Sequence, residues 1–133
     1  MPGRIRRALT DDAGSAPVEF VLVGVLLTFL TLAVLQLALA LHVRNTVLDA
    51  AAEGARFGAL ADNDPRDAAP RTAELIATAV GADYARDIEV REGTWMGAPA
   101  VIVTVRTTLP LAGFLGIDRA LEVEGHAARE TLD

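Results

Sequence analysis

From Phe20 to Leu41 the chain runs 22 residues without a charge. As an α-helix that run would be about 33 Å long, enough to cross a bilayer core. Its polar side chains are Thr28, Thr31 and Gln36. The two hydroxyls can bond back to their own helix, and one Gln is tolerated, especially against another helix. The pattern then becomes amphipathic. Val43, Val47, Ala50 or Ala51, Gly54 and Phe57 recur at helical spacing, with no Pro between His42 and Gly58. Asp62-Asn63-Asp64-Pro65 ends the periodicity. The pattern predicts one helix from about Pro17 to about Ala61, with Pro17 in the first turn, where its missing N–H is not needed.

Beyond the helix the pattern shortens. Pro70 to Gly81 reads as a short helix with Leu75, Ala79 and Val80 on its apolar side and Gly81 as its stop. Ile88-Glu89-Val90-Arg91 alternates. Ala100 to Thr107 is β-branched, with Val101, Val103 and Val105 on one face. Leu121 to Ala127 alternates again. Gly93 to Pro99 reads as the hairpin loop between the first two strands. Leu109, Leu111, Phe114, Leu115 and Ile117 make an apolar connection that either folds over the sheet or offers a sticky surface. The predicted class is α+β. A long N-terminal helix, half transmembrane and half extracytoplasmic and amphipathic, precedes a small antiparallel sheet and one short helix. The predicted segments are a basic leader (1–14), the long helix (15–61) and a small extracytoplasmic domain (62–133).

Composition narrows the function classes. The body after residue 59 is near the lower limit for a self-sufficient core, and without Cys no disulfide or thiolate metal site staples it. It therefore leans on its helix, on the membrane or on partner subunits. The net charge is −6. Loss of residues 1–14 removes three Arg and two Asp and leaves −7. An acidic body argues against contact with nucleic acid. All twelve basic residues are Arg. Ser15 is the only Ser, and Lys and Cys are absent, so there is no thiol nucleophile, Schiff-base lysine or Walker lysine. His42 and His126 are far apart in the chain; the first reads as an interfacial residue and the second as a solvated one. A calcium loop opening at Asp62 would need Gly and Glu where Asp67 and Ala73 stand. The cluster reads instead as a helix terminator. No enzyme activity, metal or cofactor is expected.

The join Gly14-Ser15-Ala16-Pro17-Val18-Glu19-Phe20 places one carboxylate at the lip of the apolar run. Such a charge is costly and usually functional. A secretory signal is the competing reading, but signal cores span roughly 7–15 residues, and the helical pattern runs past the formal site at Ala38-x-Ala40. Arg4, Arg6 and Arg7 precede the run and only Arg44 follows closely, which orients the N-terminus to the cytoplasm and the body outside. Further along, Ala50, Gly54 and Gly58 share one helix face. They permit close approach of a second helix, or take ordinary packing from the body's sheet. Glu53 can pair with Arg56 at i,i+3.

Gly14 to Phe20, the unbroken apolar run, Arg44-Asn45 and Ala51-Ala52-Glu53-Gly54-Ala55-Arg56-Phe57 together resemble the TadE-like family of the tight-adherence (Flp-type) pilus system. The join is shared by type IV pilin-like proteins at large; the Glu-Gly-Ala-Arg stretch is more particular to the TadE-like group. Pro17 departs from the small residues expected there. The resemblance implies a non-catalytic minor pilin or pseudopilin. Gly14 would precede the cut made by a prepilin peptidase, and Ser15 would become the new N-terminus. Glu19, followed by Phe20, would offset the amine of a neighbouring subunit during assembly. The implied partners are the membrane, the peptidase, other pilin-like subunits and the pilus assembly machinery. The implied location is the cell membrane, as a single-pass protein or within an extracellular pilus. The alternative is an unprocessed, single-pass envelope protein whose small external domain binds a partner.

Overall fold

The structure, a computed structural model, describes residues 14–109 and 120–131. In chain order it holds helix α1 (Ser15–Ala59), helix α2 (Ala68–Ala79) and strands β1 (Asp87–Trp95), β2 (Ala98–Thr108) and β3 (Ala120–Ala128), with 3-10 turns at Pro65–Asp67 and Ala82–Ala85. The α+β class follows the sequence pattern. Arg4, Arg6 and Arg7 of the leader, and Leu111, Phe114, Leu115 and Ile117 of the apolar connection, lie outside the described residues. The chain divides into two units, Met1–Leu35 and Gln36–Asp133.

In the N-terminal unit, α1 presents side chains that no other described element covers. Among the described residues, α1 is the helix long and apolar enough to cross a membrane. Thr28 and Thr31 donate their hydroxyls to the carbonyls of Gly24 and Leu27, each at 2.8 Å. This is the back-bonding that lets a hydroxyl sit in an apolar run.

In the C-terminal unit, α1 stops at Ala59, two residues short of the predicted end. Asn63 Nδ2 donates to the Phe57 carbonyl at 2.8 Å. Asp64 then accepts from the Arg66 amide at 2.8 Å, while the Asp67 carboxylate accepts from the Asp64 amide at 3.3 Å. This reciprocal capping box starts the chain turning before Pro70. α2 therefore begins at Ala68 rather than at the predicted Pro70, which falls in its first turn.

The sheet order is β1-β2-β3, with both pairings antiparallel. The predicted loop from Gly93 to Pro99 is corrected: β1 runs to Trp95, β2 starts at Ala98, and the turn is Met96-Gly97 alone. Their φ values are 51° and 83°. Positive φ at both central residues gives the turn the handedness that matches strand twist.

Valines 101, 103 and 105 of β2 share one face and are fully buried. They meet Val43, Val47, Ala51 and Ala55 of α1, Ile76 of α2, and Leu121, Val123 and Ala127 of β3 in a single cluster. Each fully buried Val contributes about 1.5–3 kcal/mol, so this layer outweighs any exposed ion pair in the unit. The sheet approaches the backbone of α1 closely at Gly125. A Cβ there would lie 2.4 Å from the Ala51 carbonyl carbon and the Ala52 amide nitrogen. The sheet touches the helix backbone because β3 carries no side chain at that position. The Glu130 amide also donates to the Ala59 carbonyl at 2.9 Å, tying the end of the sheet to the end of α1.

The opposite face of the sheet is charged. Arg106 on central β2 donates to Glu122 on β3 at 2.9 Å and to Glu89 on β1 at 3.2 Å. The hydrogen bond to Glu122, then that to Glu89, holds its guanidinium above its ordinary pKa.

Candidate functional site

Gly14 lies immediately before α1, and Ser15 is its first residue. Pro17 falls in the first turn, where the backbone N–H groups have no intrahelical partner in any case. Glu19 sits one turn in from Ser15, and the Ser15 hydroxyl donates to Glu19 Oε1 at 2.8 Å. Glu19 is exposed. No Arg or His of the described residues lies within ion-pair distance of it, because the described ion pairs all belong to the C-terminal unit. The positive end of the helix dipole favours a carboxylate near this terminus.

Directly after Glu19 the helix surface turns wholly apolar. Phe20 is 80% exposed, and Val21, Leu22, Val25, Leu26 and Phe29 are all at least 48% exposed. Gly24 leaves a shallow depression in that surface, rimmed by Phe20, Val25 and Thr28. A carboxylate beside such a surface does one of two things when the surface is covered: it stays in reach of water or it takes a cation from whatever covers it.

The remaining residues singled out in the sequence lie in the C-terminal unit. Ala50, Gly54 and Gly58 do form one face of α1, and this face receives α2 rather than the sheet. A Cβ at Gly54 would stand 1.8 Å from Thr72 Oγ1 and 2.9 Å from the Ala68 carbonyl oxygen; one at Gly58 would stand 2.9 Å from Ala68 Cβ. Ala50 lines a groove of about 260 Å³ with Leu75 and Ala79 of α2. Glu53 and Arg56 pair at 3.5 Å, with both side chains largely exposed. Arg71 of α2 lies over the Phe57 ring at 5.9 Å and pairs with Glu74 at 3.1 Å.

His126 stands on the Glu-bearing face of β3 as the alternation predicts, but it is not simply solvated. Its ring stacks on Trp95 and bonds Glu124. Glu124 also accepts from Arg91 at 3.0 Å. Burial pushes the Glu124 carboxyl up, but the hydrogen bonds and charges of Arg91 and His126 outweigh it and hold the carboxyl below its ordinary value. The sequence signal for this group was present in the shared phase of Trp95, Arg91, Glu124 and His126, but it needed the strand register to be read. Among the described residues no three metal-ligating side chains cluster.

Residues 14–56 match the TadE-like protein family. The TadE-like segment thus runs from the residue before α1, through the apolar surface, to Arg56 of the Glu53–Arg56 pair. TadE-like proteins are associated with the tight-adherence (Tad) pilus, and an apolar N-terminal helix that suits a membrane anchor is the part of this chain that carries the likeness. The sheet of residues 87–128 falls outside the matched segment. No curated protein and no solved structure matches the chain.

Proposed function

We propose that this protein is a non-catalytic minor pilin or pseudopilin of a tight-adherence-type pilus. A prepilin peptidase cuts it after Gly14, and its N-terminal helix then assembles with those of sibling subunits. Ser15 is the mature N-terminus. The apolar surface from Phe20 onward lies first in the membrane and then against neighbouring helices. The C-terminal unit is displayed outside the cytoplasm.

One observation carries the reading: Glu19 is an exposed carboxylate with no cationic partner in the described chain, at the start of an apolar surface built to be covered. Covering that surface with lipid or helix desolvates the carboxylate, at a cost of several kcal/mol if it stays charged and unpaired. A neighbouring subunit's new α-amine, created by the cut itself, is a cation available at the same depth. The Gly24 depression supports close approach of a second helix on this side.

The chain has no Cys, so one introduced cysteine gives a clean test. Val25→Cys in the otherwise unchanged full chain, in membranes that contain the pilus machinery, is expected to cross-link to another subunit. Adding Glu19→Gln is expected to abolish the cross-link and Glu19→Asp to keep part of it. Equal cross-linking with Glu19→Gln would show that assembly does not run through this carboxylate.

A further inference from the structure

The groove between α1 and α2 carries a charge that neither the fold nor the processing site uses. Its floor is apolar, made by Ala50 of α1 and by Leu75 and Ala79 of α2. Thr46, Asp49 and Glu53 of α1 complete its wall. Glu53 is engaged by Arg56 at 3.5 Å. Asp49 is exposed and has no partner among the described residues. An apolar floor with an unpaired carboxylate at its edge fits a side chain with an aliphatic stem and a cationic head. Lys is absent from the chain, so within this protein that side chain is an arginine.

Among the described residues, Arg44 and Arg66 are the arginines whose guanidinium has no partner. Arg66 stands near the C-terminal end of α1, where Pro65 lies against Gly58. Arg44 is exposed on α1 itself, five residues before Asp49. At about 100° per residue the two positions point about 140° apart, and a helix brings together residues three or four apart, not five. A chain therefore cannot set its Arg44 on its own Asp49. It can set it on the Asp49 of a neighbour.

We infer that the groove receives Arg44 of a second copy of this chain, parallel to the first and displaced along α1 toward its C-terminal end, a contact that rests on the assembly through Ser15 and Glu19 proposed above. There, the Ser15 amine of one subunit meets Glu19 of the next, an offset of four residues or about 6 Å along a helix. Arg44 to Asp49 is an offset of five residues in the same direction, about 7.5 Å. The difference, about 1.5 Å, is well within the reach of an arginine side chain. Both pairs lie on one uninterrupted helix, so one displacement serves both. The same displacement carries Arg66 further from the groove. The stem of Arg44 then covers Leu75 and Ala79 while its head meets Asp49 at the rim. Donor and acceptor lie on different sides of α1, so the contact is head-to-tail. Each copy offers its groove to one neighbour and its arginine to another, which propagates instead of closing into a two-fold dimer.

The chain has no Cys, which again permits a cross-linking test. Full-length Arg44→Cys and Asp49→Cys chains, tagged differently, are co-expressed in membranes that contain the pilus machinery and treated with a flexible bismaleimide as long as an arginine side chain. The mixed dimer is the expected product, and either variant expressed alone loses it. Equal dimer from all three, or an Asp49→Cys product with a different protein instead of this chain, would overturn the inference. Charge reversal is the second arm. In the Val25→Cys chain, Arg44→Asp or Asp49→Arg is expected to lower the cross-link about tenfold, because like charges then meet across the contact. The double change restores it. No loss, or no restoration, would equally overturn the inference. A Val25→Cys cross-link that forms while the mixed dimer does not removes the Arg44 contact and leaves the Glu19 reading standing. Absence of both removes both.

Discussion

The hydroxyl of Ser15 donates to the carboxylate of Glu19 at 2.8 Å, one helical turn away. This bond fixes which way Glu19 leans along the helix; its acceptor is a carboxylate, but both groups are exposed to water, which holds its contribution to about 0.5–1.5 kcal/mol. The assembly role proposed for Glu19 rests on its charge, not on that bond. Ser15→Ala is therefore expected to leave the Val25→Cys cross-link within about tenfold of wild type, the most that 1.5 kcal/mol can change an equilibrium, whereas Glu19→Gln removes it. Loss of the cross-link in Ser15→Ala at unchanged protein level would shift the weight from the charge to the hydroxyl.

Gly125 and Ala51 set the spacing between sheet and helix. A Cβ at Gly125 meets backbone atoms at 2.4 Å, and backbone cannot swing aside as a side chain can. Gly125→Ala is expected to destabilise the C-terminal unit by about 1–3 kcal/mol, the usual range for overpacking. Gly24→Ala, where nothing lies within 4 Å, leaves that unit's stability unchanged. Denaturant titration followed by Trp95 emission compares the two.

The fold was legible where one period ran uninterrupted. The apolar run of α1 and the Val101, Val103, Val105 face of β2 needed no tertiary information, because burial on a regular element writes itself into the spacing. The turn at Met96-Gly97 was not legible, because Met is a poor sequence signal for positive φ and the flanking Gly93 and Pro99 suggested a longer loop. Spacing alone did not say that α2 packs against the Ala50, Gly54, Gly58 face, where Thr72 occupies the space at Gly54. Gly125 falls in phase with Leu121, Val123 and Ala127. That phase was the available clue that a backbone, not a side chain, packs there. The Trp95–His126 stack depended on register across three strands, which no local pattern encodes.

Glu124 predicts an acid-side loss of stability. Its folded-state carboxyl lies below the ordinary 4.5, so on acidification the unfolded chain takes up the proton first. The stability this group provides is complete above about pH 4.5 and is lost as pH falls through the lower, folded-state value. Glu124→Gln is expected to flatten the decline of melting temperature below that pH. An unchanged acid limb would remove Glu124 from the account.

Exposed ion pairs and buried side chains differ sharply in what they contribute. The Glu53–Arg56 side chains are 49% and 70% exposed. A double-mutant cycle on them is expected to give a coupling of about 0–1 kcal/mol. Ile76 is fully buried in the core cluster, and Ile76→Ala is expected to cost about 2–5 kcal/mol. A coupling at Glu53–Arg56 that rivals the Ile76 effect would mean the pair is covered in the assembled state.

The most direct test of the central claim is the intact mass of the protein extracted from membranes in which a prepilin peptidase is active. The account predicts a mature chain that begins at Ser15, and an uncut chain that keeps residues 1–14 when Gly14 is changed to Val. A chain that keeps its leader, or one cut near Ala40 to release the C-terminal unit, would contradict it.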